Sequence, residues 1–253
     1  MSEKLVVKGI VLRVTPTKEA DYILTLLTDA LGKVAVVARG SRRKSSRIAA
    51  GCELLAFSEL VLYQRGNWYY LDEASTISLF DGVRQYSDLL SLASYFAEMT
   101  ECVTAEDESA PEVLSLLLNA LYALSELKKP QRLVKAPLEL KLLALSGYEP
   151  LLDGCAACGK EEPDAPVFDA QQGVVLCRGC ASHGGAGLLP LDTGAVAAIR
   201  HVLFAEPKRM LSFSLTDESA QRFAAACEVF AQVQLDRRFK TLDFYKSMII
   251  DNK

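Results

Sequence analysis

The chain has 253 residues, a formal net charge of −4 and a hydrophobic fraction of 50%, which suits one large domain or two smaller ones with real cores. No apolar run approaches the roughly 18 residues that span a bilayer, and the start, MSEKLVVKG, has neither an h-region nor a small-residue cleavage site, so neither a membrane anchor nor a secretory leader is expected. Charge is uneven: residues 1–80 carry 11 Lys+Arg against 8 Asp+Glu and the remainder 17 against 24, so any contact with a polyanion is expected to be local to the N-terminal part.

Residues 1–80 read as β structure. LVVKGIVLRV (5–14), YILTLLT (22–28), KVAVVAR (33–39), CELLAFSELVLYQ (52–64) and YYLDEASTIS (69–78) are strand-like runs, with turns at Gly32 and Gly66. Several carry apolar residues on both parities, which suits a closed barrel packed against something else. Five strands without a long helix between them predict a small barrel, with the OB-fold as the leading candidate.

From about residue 86 the period becomes helical. Leu89, Leu92, Ala93, Phe96 and Met99 recur at helical spacing, as do Val113, Leu116, Leu117, Ala120, Leu121 and Leu124 after Pro111. The acidic link AEDESA (105–110) separates these two segments. A helix over 136–147 is predicted to start at Pro137 and stop at Gly147. Two more are expected after the cysteine-rich segment, one led by Asp192 or Thr193 and one from Thr216, and a short last helix around 236–246. Gly184, Gly185 and Gly187 predict a flexible connection between the cysteine-rich segment and those helices. The predicted class is α+β and multidomain: an OB-type barrel over 1–80, then a helical domain over 81–253 interrupted by a metal-binding segment at 153–183.

Cys155, Cys158, Cys177 and Cys180 form C-x2-C-x18-C-x2-C. Each C-x-x-C turn can present two thiolates to one cation, and an intervening hairpin around Gly173 can bring the pairs together. Four thiolates close a tetrahedral Zn²⁺ site and leave no position for water, so one structural zinc ion per chain, a zinc ribbon, is expected. The alternative, two redox dithiols, lacks the βαβ setting of a thioredoxin-type site. This cysteine usage fits a reducing cytosol better than a disulfide scaffold. Cys52, Cys102 and Cys227 stand alone in apolar patterns, as core thiols do.

The densest charge feature is RGSRRKSSR (39–47), with Arg39, Arg42, Arg43, Lys44 and Arg47 between two predicted strands. Guanidinium and hydroxyl groups suit phosphate oxygens, and a loop on a rigid barrel commonly carries function. Trp68 and Tyr70, in NWYY (67–70) with Tyr63 nearby, could stack bases. The plain alternatives are a solvated hairpin for the loop and core packing for the aromatics. Catalysis is not expected. There are two histidines, His183 and His201, and no metalloprotease, deaminase, phosphate-loop or nucleophile-elbow motif.

Taken in order, four stretches resemble the bacterial recombination and repair mediator family RecO: KGIVLRVTPTKEADYILTLLT, GKVAVVARGSRRKSSR, LELKLLALSGYEPLLDGCAACG and LDRRFKTLDFYKSM. The resemblance covers essentially the whole chain. It implies an OB-fold, a helical domain and an inserted zinc-binding segment in a cytoplasmic, nucleoid-associated protein. It further implies binding to single- and double-stranded DNA, annealing of complementary strands, and loading of recombinase onto DNA coated by single-strand-binding protein. The implied partners are RecR, in some bacteria RecF, and the acidic C-terminal tail of single-strand-binding protein. For that tail, Arg132 and Lys135 are the candidate cations. The acidic bulk of residues 81–253 departs mildly from what a DNA binder needs and leaves open how far the DNA path extends beyond the barrel.

Overall fold

The structure of the chain, a computed structural model, describes residues 4–106, 108–181, 187–206 and 208–251. Strands β1 (Lys4–Thr17), β2 (Asp21–Thr28), β3 (Gly32–Ala38), β4 (Phe57–Arg65) and β5 (Trp68–Ser78) form a closed barrel in the order β1-β2-β3-β5-β4. Strand β1 serves two neighbours. Its first half, Lys4–Ile10, pairs with β4, and Gly9–Thr17 pairs with β2 across a bulge between Val11 and Arg13. That bulge lets one long strand bend around the barrel. Closure comes from the parallel contact of β3 with β5, where Val36 faces Tyr69 and Val37 faces Tyr70. Alternation selects the lining: Val34, Val36 and Ala38 of β3 are buried with Val7, Val11, Leu24, Leu26, Leu60, Leu62 and Leu71. Their neighbours Ala35 and Arg39 face outward and are exposed.

The run 52–64 is not one strand. Cys52 ends a 3-10 turn (Ala50–Cys52), Leu55 takes a φ of +65°, and β4 begins at Phe57. Leu55 and Ala56 are buried, and their backbones bond Val11: Leu55 N–H donates to Val11 O at 2.9 Å and Val11 N–H to Ala56 O at 3.1 Å. The apolar signal at 52–56 therefore reflects a plug beside the β1 bulge, not extended pairing.

One compact unit comprises Met1–Lys128 and Phe239–Lys253, the other Lys129–Arg238. The barrel ends near residue 80, while its unit extends through α1 (Asp81–Arg84), α2 (Ser87–Val103), α3 (Pro111–Ser125) and α7 (Lys240–Asp251). Helix α2 buries Leu92, Ala93, Phe96 and Met99. It is tied to the barrel through Glu101, whose carboxylate meets Arg13 at 3.0 Å and whose carbonyl accepts from Lys33 Nζ at 2.9 Å. Phe239, just before α7, meets Tyr95 of α2 edge-on at 5.4 Å. The last helix lies a few residues later than expected.

The second unit contains α4 (Gln131–Leu145), a four-stranded sheet, α5 (Thr193–Phe204) and α6 (Asp217–Gln234). Pro137 does not start α4; it lies inside the helix, which begins six positions earlier. An interior proline forgoes one N–H bond and crowds the preceding turn, yet its fixed φ is helical, so Pro137 sits within the helix and does not mark its start. Asp192 caps α5, its carboxylate accepting from Ala195 N–H at 2.7 Å, and Thr216 caps α6. The sheet order is β6-β8-β7-β9, from Leu151–Cys155, Val174–Leu176, Val167–Asp169 and Leu188–Pro190.

Candidate nucleic-acid interface and metal centre

The basic loop leaves the end of β3 beside the start of β5. Arg39, Arg42, Arg43, Lys44 and Arg47 are all exposed. Gly40 takes a φ of +65°, a conformation that favours glycine. Its N–H donates to Asp21 Oδ1 at 2.8 Å, Ser41 Oγ donates to Ala38 O at 2.8 Å, and Arg42 N–H donates to Ala20 O at 3.1 Å. Short turns follow, with Arg43 N–H on Gly40 O and Ser46 N–H on Arg43 O. The backbone is held inward while the cationic side chains project to solvent.

Trp68 and Tyr70 share the outer face of β5, and the register sets what each can do. Tyr63 stands directly across from Tyr70, and the rings stack at 5.3 Å with an interplanar angle of 16°. From the strand on the other side, the Arg39 guanidinium lies over the Tyr70 ring, 4.6 Å from its centroid. Tyr70 is thus flanked by Tyr63 and Arg39, and it supports the arginine rather than offering an open ring. Trp68 is 47% exposed and pairs across the strand with Arg65, which is exposed too.

Sequence reading missed two further cations on the barrel. Lys18 sits in the β1–β2 turn with a φ of +49°, and its carbonyl accepts from Arg42 Nη1 at 3.4 Å. Arg65 ends β4. Both stand singly in sequence; Lys18 meets the basic loop through Arg42, and Arg65 stands opposite Trp68 on the β4–β5 hairpin. The Arg42 guanidinium also lies over Tyr22, 5.7 Å from its centroid. Cations with one exposed indole, around the β1–β2 and β4–β5 turns of an OB barrel, suit a flexible polyanion that carries unpaired bases.

The four cysteines converge. Cys155 ends β6, Cys158 follows in the next turn, and Cys177 and Cys180 follow β8. Their sulfurs all lie within 4.8 Å of one another, with Cys158 Sγ and Cys177 Sγ 3.9 Å apart. A tetrahedral metal with bonds of about 2.3 Å sets sulfur–sulfur edges of about 3.8 Å, so the spacing fits one ion. The Cys177 N–H donates to Cys155 Sγ at 3.2 Å and holds that thiol down to about 6. Hydrogen bonding with Cys158 and then Cys155, together with burial, pushes Cys180 up to about 12. Four thiolates this close together would need a cation between them, so the cluster could hold a metal ion. His183, near this segment in sequence, lies outside the described residues. Cys52 and Cys227 are core thiols, and burial pushes Cys52 up to about 12.

The sheet that carries the cysteines is stitched to α5 and α6. Phe168 meets Phe230 edge-on at 5.3 Å, Gln234 Nε2 donates to the carbonyls of Ala170 and Gln171, and Arg200 donates to Leu152 O. The two candidate tail-binding cations part company. Arg132 is exposed, with one bond of 3.4 Å to Asp217 O. Lys135 is buried and its ammonium lies 2.8 Å from carboxylate oxygens of both Glu139 and Glu228. That reading of Lys135 is corrected: it is a core ion-pair residue and offers no charge to an incoming peptide.

The fold and sites define an OB-barrel protein with a cationic rim, joined to a helical unit that carries a cluster of four cysteines able to hold a metal ion. Family models described as recombination protein O N terminal and recombination protein O C terminal match residues 1–80 and 84–243. The DNA repair protein RecO of Symbiobacterium thermophilum is 31% identical over 96% of both chains. Those of Acetivibrio thermocellus and Desulforamulus reducens are 28% and 29% identical over 95% and 94% of both. The chain belongs to the recombination protein O family of DNA repair proteins. Among the described residues, no helix is long and apolar enough to cross a membrane.

Proposed function

We propose that this chain is a non-catalytic recombination mediator that binds single- and double-stranded DNA with the loop end of its barrel and anneals complementary strands. The observation that carries the reading is the basic loop on an OB barrel, latched at its base and exposed at its tip, with Arg39 over Tyr70 of β5, the strand that also carries an exposed Trp68. Annealing needs two repelling phosphate backbones neutralised while bases stay free to pair. Mobile Arg and Lys side chains do this without reading sequence. Arg39, Arg42, Arg43, Lys44 and Arg47 are the phosphate contacts, Trp68 is the base platform, and Tyr70 acts through Arg39.

With RecR, and with RecF where present, the protein helps recombinase load onto DNA coated by single-strand-binding protein, in the bacterial cytoplasm at the nucleoid. Arg132 is the remaining candidate for the acidic tail of that protein. The metal at Cys155, Cys158, Cys177 and Cys180 is zinc, held for structure, because four thiolates leave no open coordination position. The deciding experiment is strand annealing with purified protein, with and without cognate single-strand-binding protein, beside oligonucleotide titrations at two salt concentrations. Annealing with salt-sensitive binding is expected. A chain that binds partner proteins but no oligonucleotide would be an adaptor instead.

A further inference from the structure

We propose that Asp21 is a positioning residue that latches the basic loop in its binding geometry; this rests on the loop being the phosphate-binding element. Asp21 opens β2, and its Oδ1 accepts the Gly40 N–H at 2.8 Å across the β1–β2 and β3 ends. Electrostatically the carboxylate is misplaced. It puts a negative charge beside Lys18, Arg39 and Arg42, at a surface meant for a polyanion, where it lowers the local attraction. Its contribution is geometric. Gly40 is the pivot of the loop at a φ of +65°, and with its N–H fixed, the Arg42 N–H falls on Ala20 O and Arg42 Nη1 on Lys18 O. Four bonds from the β1–β2 turn and β3, counting Ser41 Oγ on Ala38 O, hold residues 40–42. Lys44 and Arg47 beyond them stay free to follow a backbone. An ordered base lowers the entropy lost when the cations engage phosphate.

Two variants separate geometry from charge. Asp21→Asn and Asp21→Ala remove the same negative charge, but only asparagine keeps a carbonyl oxygen for Gly40. A labelled oligothymidylate is titrated with the full-length protein at low and moderate salt. Asp21→Asn is expected to bind at least as tightly as the native protein, and Asp21→Ala about fivefold more weakly than Asp21→Asn, the scale of one lost hydrogen bond. Trypsin cleavage at Arg42 and Arg43 should be faster in Asp21→Ala alone. Equal affinity and equal cleavage for the two variants overturn the latch. Hydrogen exchange at Gly40 in the native chain is an arm that needs no variant: slow exchange supports the latch, and exchange at the free-peptide rate overturns it. The combined variant Arg42→Ala, Arg43→Ala, Lys44→Ala tells the two claims apart. If it binds normally, the loop reading falls and the latch with it; if it binds weakly while the Asp21 variants match each other, only the latch falls.

Discussion

The ammonium of Lys135 on α4 lies 2.8 Å from a carboxylate oxygen of Glu228 on α6, and equally close to Glu139 one turn along its own helix. Glu139 is fully buried and the Lys135 side chain only 7% exposed. Burial alone would lower the lysine pKa; the two carboxylates outweigh it, so the value is raised above the usual lysine range. A raised folded-state value contributes stability that is complete below the unfolded lysine pKa and is lost only as pH climbs through the folded one. No change in this contribution is therefore expected between neutral and mildly alkaline pH. Lys135→Met should cost about 3–5 kcal/mol, because it strands the buried Glu139 carboxylate with the partly buried Glu228 beside it. Urea unfolding checks this, and adding Glu139→Gln should recover part of the loss. A Lys135 variant with native stability would refute the account.

Metal loss should travel from the cysteines into the helices. Phe168 and Gly173 of the cysteine-bearing sheet both lie against Phe230 of α6. Cys155→Ser and Cys177→Ser are each expected to lose the bound zinc and to lower the melting temperature, as folding and coordination are coupled. Elemental analysis with thermal unfolding measures both. Variants that stay as stable as the native chain but lose oligonucleotide binding would make the metal segment a contact surface rather than a staple.

What the sequence made legible follows from the range of the interaction involved. The strands of the barrel and the cysteine quartet were readable because alternation and C-x-x-C spacing are local. Residues 52–56 were not, since a buried plug and a buried strand are equally apolar. Glu139, four positions from Lys135, was a visible hint of an ion pair; Glu228, 93 positions away, was not. Tyr70 likewise looked like an open platform until strand pairing placed Tyr63 on one side and Arg39 on the other. Lys18 carries no motif, and only the pairing of β1 with β2 and of β2 with β3 brings it to the loop.

Trp68 is the only tryptophan in the chain, so its emission reports directly on the start of β5 and the β4–β5 hairpin. Binding of a single-stranded oligonucleotide is expected to quench that emission. Trp68→Ala should weaken binding by about 1–3 kcal/mol, the measured range for a base stacked on an aromatic ring. Tyr70→Leu should cost less, near the roughly 0.5–1 kcal/mol of an exposed cation–π contact, because it only frees Arg39. Equal losses for the two substitutions would mean that bases reach Tyr70 as well, displacing the arginine above it.

The loop itself makes the sharpest quantitative demand. Each phosphate contact on a single strand contributes about 0.7 to the slope of log affinity against log salt. Replacing Arg42, Arg43 and Lys44 together with alanine should therefore flatten that slope by about 2. None of the three cations is buried, so the melting temperature should hold and the loss should be purely of binding. Arg132→Ala, in the other unit, serves as the control and should leave the slope untouched while weakening capture of an acidic peptide. If the triple variant keeps the native slope, Arg42, Arg43 and Lys44 are merely solvated, and the remaining outward cations, Lys18, Arg39, Arg47 and Arg65, would have to carry the whole electrostatic term, which four contacts limit to about 2.8.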